Sequence, residues 1–254
     1  MTKLEARGLS FGYDGTPVGE GVDLDLTGGE VVCLLGPNGG GKTTLFRTLL
    51  GVLPPIAGEV RVAERPLSRW PRRERARLLG WVPQAHAGLF AFTVEEVVLM
   101  GRTARHGRYT APSRRDHDVA RAALERLGIG RLAERVYTQI SGGERQLTLI
   151  ARALAQEAGI LILDEPTASL DFGNQLRVLG EIRRLRDDGI GILMSTHQPE
   201  HALEVADRIA LLEGGRIVAQ GPPHETATPE RLAHLYRADL AAVTARIAPS
   251  GARP

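Results

Sequence analysis

The sequence predicts an α/β protein in which a mostly parallel sheet is interrupted by a block of helices. Three observations carry that reading. Wholly apolar runs at 31–35, 159–163 and 190–194 have the length and composition of strands buried on both faces. The first run passes through glycine-rich residues 36–41 into a helical pattern at 42–50, the strand-to-helix step of an α/β fold. Residues from about 93 to 158 carry mostly helical spacing and separate the first run from the second.

Bulk properties agree with one or two globular domains. The chain has 254 residues, 43% of them apolar and 24% charged, enough for a core without disulfides and far from a disordered composition. No apolar run approaches membrane-spanning length, and the start, Met1-Thr-Lys-Leu-Glu-Ala-Arg7, lacks the apolar stretch of a secretory signal, so a cytoplasmic chain is expected. Cys33 is the single cysteine, which excludes a disulfide framework and a cysteine zinc site. A net charge of +2 does not point to nucleic acid, and the 30 arginines against 2 lysines read as composition bias.

The elements follow in order. Residues 8–22 alternate around the turn Tyr13-Asp14-Gly15, predicting strands in a hairpin. A further strand is expected at 58–62. The arginine-rich stretch 67–77 reads as a solvated connector or helix face, with Trp70 its one aromatic residue. Thr93 can cap a helix whose first turn holds Glu95 and Glu96. Helical spacing recurs at 119–127 and 146–155, with a polar loop at 105–115. Asp116-His117-Asp118 reads as a solvated helix start. Leu176, Leu179, Ile182 and Leu185 predict an amphipathic helix. Glu213-Gly214-Gly215 marks a hairpin between 208–212 and 216–219. The tail from Ala248 reads as frayed.

Three motifs carry chemistry. The segment Gly36-Pro37-Asn38-Gly39-Gly40-Gly41-Lys42-Thr43 fits G-x-x-x-x-G-K-[ST] between a strand and a helix. Its glycines let backbone N–H groups turn around phosphate oxygens, the helix N-terminus adds a favourable dipole, Lys42 supplies charge and Thr43 a hydroxyl for Mg²⁺. The plain alternative is a glycine-rich turn with an incidental lysine. Asp164 and Glu165 end the apolar run 160–163, at the sheet edge where α/β ligand sites lie. Asp164 suits Mg²⁺ and Glu165 a proton from an attacking water; the alternative is two solvated acids. Ser141-Gly142-Gly143-Glu144 heads a helix as a capping box, and its free N–H groups suit a second anion. The bland reading is an ordinary helix start.

Together these motifs resemble the ATP-binding cassette superfamily. Residues 36–44, 140–146 and 160–165 are similar to its Walker A, signature and Walker B motifs, in order. Gln84, in Val82-Pro83-Gln84, resembles the glutamine loop, Ser169-Leu170-Asp171 the loop that meets the partner subunit, and Thr196-His197 the switch histidine. Tyr13 sits where the family stacks an aromatic ring on adenine. The resemblance spans about residues 3–222. It implies a P-loop NTPase core with an antiparallel β subdomain and an inserted helical subdomain at about 93–158, all within residues 1–222, followed by a C-terminal helical extension and tail at 223–254. It implies ATP and Mg²⁺ as ligands. Thr43, Gln84 and Asp164 would hold the metal, and residues 36–43 with Thr44 would hold the phosphates. Lys42, Glu165 and His197 would be catalytic. Ser141, Gly142, Gly143 and Asp171 would act across a dimer of this chain or a homologous pair.

The same resemblance implies the ATPase subunit of a bacterial importer. It would lie at the cytoplasmic face of the inner membrane beside permease subunits, served indirectly by a periplasmic binding protein, with no nucleic-acid partner. Residues 92–102, the helix around 146–154 and 170–175 resemble the branch that imports metal chelates such as iron–siderophore, haem or cobalamin, with a molybdate or tungstate importer as a close relative. Gln198-Pro199 after His197 tilts towards the latter. An exporter subunit is the alternative; an ATPase acting on ribosomes or DNA fits less well, since tandem cassettes and long coiled coils are missing. A non-hydrolysing regulatory subunit fits poorly with Glu165 and His197 present. Two departures stand out: the signature begins with Ile140 in place of leucine and ends with Glu144 in place of glutamine, which places negative charge near a phosphate unless it folds back onto the cap, and Gly40 stands where Ser or Ala is common. Cys33 reads as core. His197 and His201 have zinc-helix spacing, but Pro199 between them and Gln198 in place of glutamate argue against a metal. His201 is expected on a surface helix, and His86 is left open between a partner contact and simple exposure.

Overall fold

The computed structural model describes residues 2–84, 91–105, 111–168 and 170–247. The chain opens with a long hairpin, β1 (Lys3–Tyr13) and β2 (Thr16–Thr27), closed by the Asp14-Gly15 turn. Both residues of that turn have positive φ, which suits the right-handed twist of a hairpin. β3 (Val31–Leu35) is buried throughout and delivers the glycine-rich loop to α1 (Lys42–Leu49). Next come β4 (Ala57–Val62) and the two-residue β5 (Arg65–Pro66). These complete an antiparallel sheet in the order β2-β1-β4-β5.

α2 (Arg72–Leu78) leads into β6 (Leu79–Val82). The helical block follows: α3 (Val94–Leu99), α4 (Arg114–Arg126) and α5 (Gly142–Ala155), with residues 106–110 of the expected polar loop outside the described residues. The chain returns through β7 (Ile160–Asp164), α6 (Phe172–Asp187), β8 (Gly191–Thr196) and α7 (Pro199–Val205). A second hairpin, β9 (Arg208–Glu213) and β10 (Arg216–Gly221), precedes α8 (Pro223–Thr226), α9 (Pro229–Tyr236) and α10 (Leu240–Ile247). The larger sheet runs β10-β9-β3-β8-β7-β6, parallel except for β10 at its edge.

Alternation along β3 divides the core. Val32 and Leu34 face a cluster with Leu45, Phe46 and Leu49 of α1 and with Leu9 and Phe11 of β1, so α1 lies between the two sheets. Val31, Cys33 and Leu35 face the opposite cluster, shared with α5, α6 and α7. A strand that is apolar at every position is what a sheet covered on both faces requires. Cys33 is core as expected, and burial pushes its thiol upward.

Two details are added to the sequence reading, and two of its expectations are corrected. The segment 67–77 contains α2, with no buried residue. Its arginines are not free charges: Arg73 Nε and Arg77 Nε each donate to the Ala104 carbonyl at 2.9 Å, and Arg75 Nε donates to the Trp70 carbonyl at 2.7 Å. β6 was not expected, because Leu-Gly-Trp-Val is too short to show a period; it pairs with β7 from Leu79 to Val82. Leu176 is exposed, while Val178, Leu179, Ile182 and Leu185 are buried. Leu176 and Leu185 are nine residues apart, about two and a half helical turns, and so sit on opposite faces. Asp116 is buried rather than solvated: its Oδ1 accepts from Arg102 Nε at 2.9 Å, and its Oδ2 accepts from the Ser113 amide at 2.9 Å.

Candidate active site

Four parallel strands end at one edge of the larger sheet, and each delivers expected site residues there. β3 ends at Gly36, β7 at Asp164 and Glu165, β8 at Thr196 and His197, and β6 just before Gln84. The register brings Leu35 beside Thr196, Asp164 beside Ser195 and Val82 beside Leu163. The sequence-distant motifs are therefore neighbours because their strands are.

The loop 36–41 is shaped by its glycines. A Cβ on Gly36 would lie 2.5 Å from the Leu212 carbonyl oxygen, so the turn packs backbone on backbone. Gly39 and Gly41 adopt φ of 77° and 94°. Gly41 caps α1 with no side-chain hydrogen bond, so no side chain occupies the helix N-terminus, where an anion is favoured. Lys42 is buried, and its Nζ donates to the carbonyls of Gly36 at 2.7 Å and Pro37 at 3.0 Å. Burial holds the ammonium below its usual pKa, while Glu165 and Asp164 oppose that shift. Its closest carboxylate contact is 3.9 Å, to Glu165 Oε1.

A second set of contacts ties the strand ends together. Thr43 Oγ1 donates to Asp164 Oδ2 at 2.6 Å, and Ser195 Oγ donates to Asp164 Oδ1 at 2.7 Å. The same Ser195 oxygen accepts the Glu165 amide at 3.0 Å. Glu165 has φ of 49°, a left-handed conformation that costs a non-glycine residue about 1–2 kcal/mol. That turn presents its carboxylate to His197, whose Nδ1 lies 3.2 Å from Oε2. Ser195 was missed by the sequence reading. Its signal was faint: a hydroxyl ending an otherwise apolar strand beside the one that carries the acids.

Thr43 and Asp164 supply hard oxygen donors of the kind Mg²⁺ takes. No group of three or more His, Cys, Asp or Glu that could hold a metal occurs among the described residues. The donors therefore fit an ion that takes its remaining ligands from phosphate and water, not a closed protein cage. Thr44 and Tyr13 complete the neighbourhood: the Tyr13 hydroxyl lies 3.4 Å from Thr44 Oγ1, and its ring is partly exposed at the end of β1.

Among the described residues, Ser141, Gly142, Gly143 and Asp171 make none of the side-chain contacts of this cluster. Ser141 caps α5, its Oγ accepting the Glu144 amide at 3.2 Å, while Glu144 Oε2 accepts the Ser141 amide at 3.0 Å. Asp171 caps α6 through the Asn174 amide at 2.8 Å. Glu144 is turned back onto the cap and onto Arg131 at 3.1 Å. The Ser141 amide holds its carboxyl below the usual range. His201 is half-buried on α7, with Nδ1 3.1 Å from Thr167 Oγ1. Ser169 and His86 lie outside the described residues.

The ABC transporter family profile matches residues 20–168. The chain belongs to the ABC transporter family. An ABC transporter ATP-binding protein of Haemophilus influenzae is 46% identical over 234 residues, 92% of this chain and 89% of that one. The hemin import ATP-binding protein HmuV of Gloeobacter violaceus is 42% identical over 234 residues, 89% of this chain and 84% of its own. A metal-chelate type ABC transporter solved in an inward-facing conformation superposes with a TM-score of 0.81 at 34% identity, covering 93% of this chain and 90% of that one. The edge described above is thus that of an ABC ATPase, an ATP-hydrolysing transporter subunit. No helix of the described residues is long and apolar enough to cross a membrane.

Proposed function

We propose that the chain is the ATPase subunit of an importer for a metal chelate of the haem or iron–siderophore class, working as a pair beneath membrane permease subunits. The contact set of Lys42, Thr43, Asp164, Ser195, Glu165 and His197 supports the hydrolytic half. The cargo class is supported by the hemin-import relative and the metal-chelate type neighbour. Neither speaks for molybdate or tungstate, so that tilt is dropped.

The residues divide the work as follows. The amides of 38–43 and the α1 N-terminus hold phosphate oxygens, and Lys42 neutralises their charge. Thr43 and Asp164 would hold Mg²⁺, with Gln84 at the same edge; bound there, the ion offsets negative charge on the phosphates. Glu165 accepts a proton from the attacking water, and His197 steadies that carboxylate from its other oxygen. Ser195 fixes both acids, one through its hydroxyl proton and the other through its lone pair. Tyr13 offers its ring to the base. Ser141 to Gly143 and Asp171 sit at helix starts away from this edge, which suits action on a nucleotide held by a second copy.

The test is to purify the full chain with the membrane subunits that accompany it, place the complex in vesicles, and measure ATP turnover and transport with hemin, a ferric siderophore and molybdate. A chelate that stimulates turnover and accumulates on the importing side supports the proposal. Stimulation by molybdate alone, transport outward, or the absence of any membrane subunit overturns it.

A further inference from the structure

The C-terminal helices return to the nucleotide edge. α9 is anchored in the core by Leu232 and Leu235, and its last residue, Tyr236, brings its phenol near the Gly36 backbone, where the phosphate loop begins. The phenol oxygen is buried and lies beside the Gly36 backbone without meeting hydrogen-bond geometry. Its electrostatic neighbours are Glu165 and Glu200, and burial together with these carboxylates pushes its pKa up to about 12. A second unmatched atom lies close by. Glu200 follows Pro199 on α7, and its Oε2 is buried without a partner, whereas its Oε1 accepts from Arg246 Nε of α10. A cleft of about 410 Å³ runs between α7 and the C-terminal helices, lined by His197, Gln198, Pro199, Tyr236 and Arg246 among others.

The phenol oxygen and Glu200 Oε2 are both buried and, among the described residues, both without a hydrogen-bond partner, so they form a complementary pair held apart, and Tyr236 lines the same cleft as the switch histidine. A buried hydroxyl without a partner costs free energy that phenylalanine would not, so its presence calls for a state in which it is used. We propose that Tyr236 is a positioning residue for ATP hydrolysis: on nucleotide binding its hydroxyl donates to Glu200 Oε2, fixing α7 and with it His197 against Glu165. The inference rests on the roles assigned above to Glu165 and His197. It makes the C-terminal helices part of the hydrolytic machinery, acting through α7 rather than by touching the nucleotide.

Tyr236→Phe, Glu200→Ala and the double variant separate this from a packing role, measured in the full chain assembled with its membrane subunits. A structural hydroxyl without a partner predicts that Tyr236→Phe leaves turnover unchanged. The proposal predicts that Tyr236→Phe lowers kcat about tenfold, the worth of one hydrogen bond to a carboxylate, with KM for ATP unchanged and Tm equal or higher. Glu200→Ala should lower kcat similarly, and the double variant no further. Wild-type kcat in Tyr236→Phe, a fall in kcat that tracks a fall in Tm, or additive losses in the double variant overturns it. Glu165→Gln run alongside distinguishes the two failures: if that variant still turns over, the assigned roles fail, and if it is inactive while Tyr236→Phe is normal, this inference alone fails.

Discussion

Asp116→Ala tests how the helical block is held together. Arg102 is 3% exposed, and its guanidinium donates to Asp116 Oδ1 at 2.9 Å and to the Ala155 carbonyl at 2.7 Å, with Glu157 Oε2 at 2.6 Å. Asp116 also closes the capping box of α4 with Ser113. Removing the carboxylate loses a charge-assisted bond, about 1.5–3 kcal/mol, and a cap of about 1 kcal/mol. The Ala155 and Glu157 contacts remain, so the loss should stay near the lower end of the about 3–5 kcal/mol range for breaking a buried pair. At about 2–4 °C per kcal/mol for a domain of this size, Tm should fall by about 6–12 °C. Thermal unfolding followed by circular dichroism measures this. The double variant Asp116→Ala with Arg102→Met should be less destabilised than the sum of the single ones, since it removes the stranded charge. A Tm change below about 2 °C would mean that the Arg102–Asp116 contact does not hold the helical block, as for the solvated helix start that the sequence around Asp116 suggests.

Three further outcomes follow from the contacts. Ser195→Ala strands the Glu165 amide and one Asp164 oxygen, so unfolding free energy should drop by about 1–3 kcal/mol and turnover by roughly tenfold to a hundredfold, read by Tm and phosphate release. Thr43→Ala should weaken ATP binding with Mg²⁺ by roughly tenfold but leave binding in chelator nearly unchanged, measured by titration calorimetry in both conditions. Burial holds His201 below its usual 6.5, ahead of the opposing pull of Glu204 and Glu200 and the added push of His197. Below pH 6.5 the unfolded chain therefore takes up a proton that the folded chain refuses, and stability falls as pH drops towards the folded pKa. Chemical denaturation of wild type and His201→Gln from pH 7.5 to about 5 should show a shallower acid loss in the variant; parallel curves would contradict the burial argument.

Much of the site was legible because its chemistry is local. The residues 36–43 form one turn, Asp164-Glu165 end one strand, and the Ser141–Glu144 box closes on itself, so each motif reads without tertiary knowledge. The same is true of Thr93, whose hydroxyl accepts the Glu96 amide as the capping pattern predicts. What remained hidden depends on partners far away in sequence. Ser195 reaches the acids because β8 lies beside β7, and Tyr236 comes near Gly36 only once α9 has folded back. Asp116 reads as solvated until Arg102 is placed against it. The Leu176 error was one of period: steps of three residues drift around a 3.6-residue helix, so the exposed end of that series belongs to another face.

In the proposed reaction Glu165, aimed by its left-handed turn at His197 and near Lys42, activates the water that cleaves ATP. The most direct test is turnover and ATP affinity of Glu165→Gln beside wild type in the assembled complex. The variant should retain ATP affinity, turn over about a hundredfold or more slowly, and persist as a pair with ATP bound. Turnover near the wild-type rate in that variant would contradict this role of Glu165.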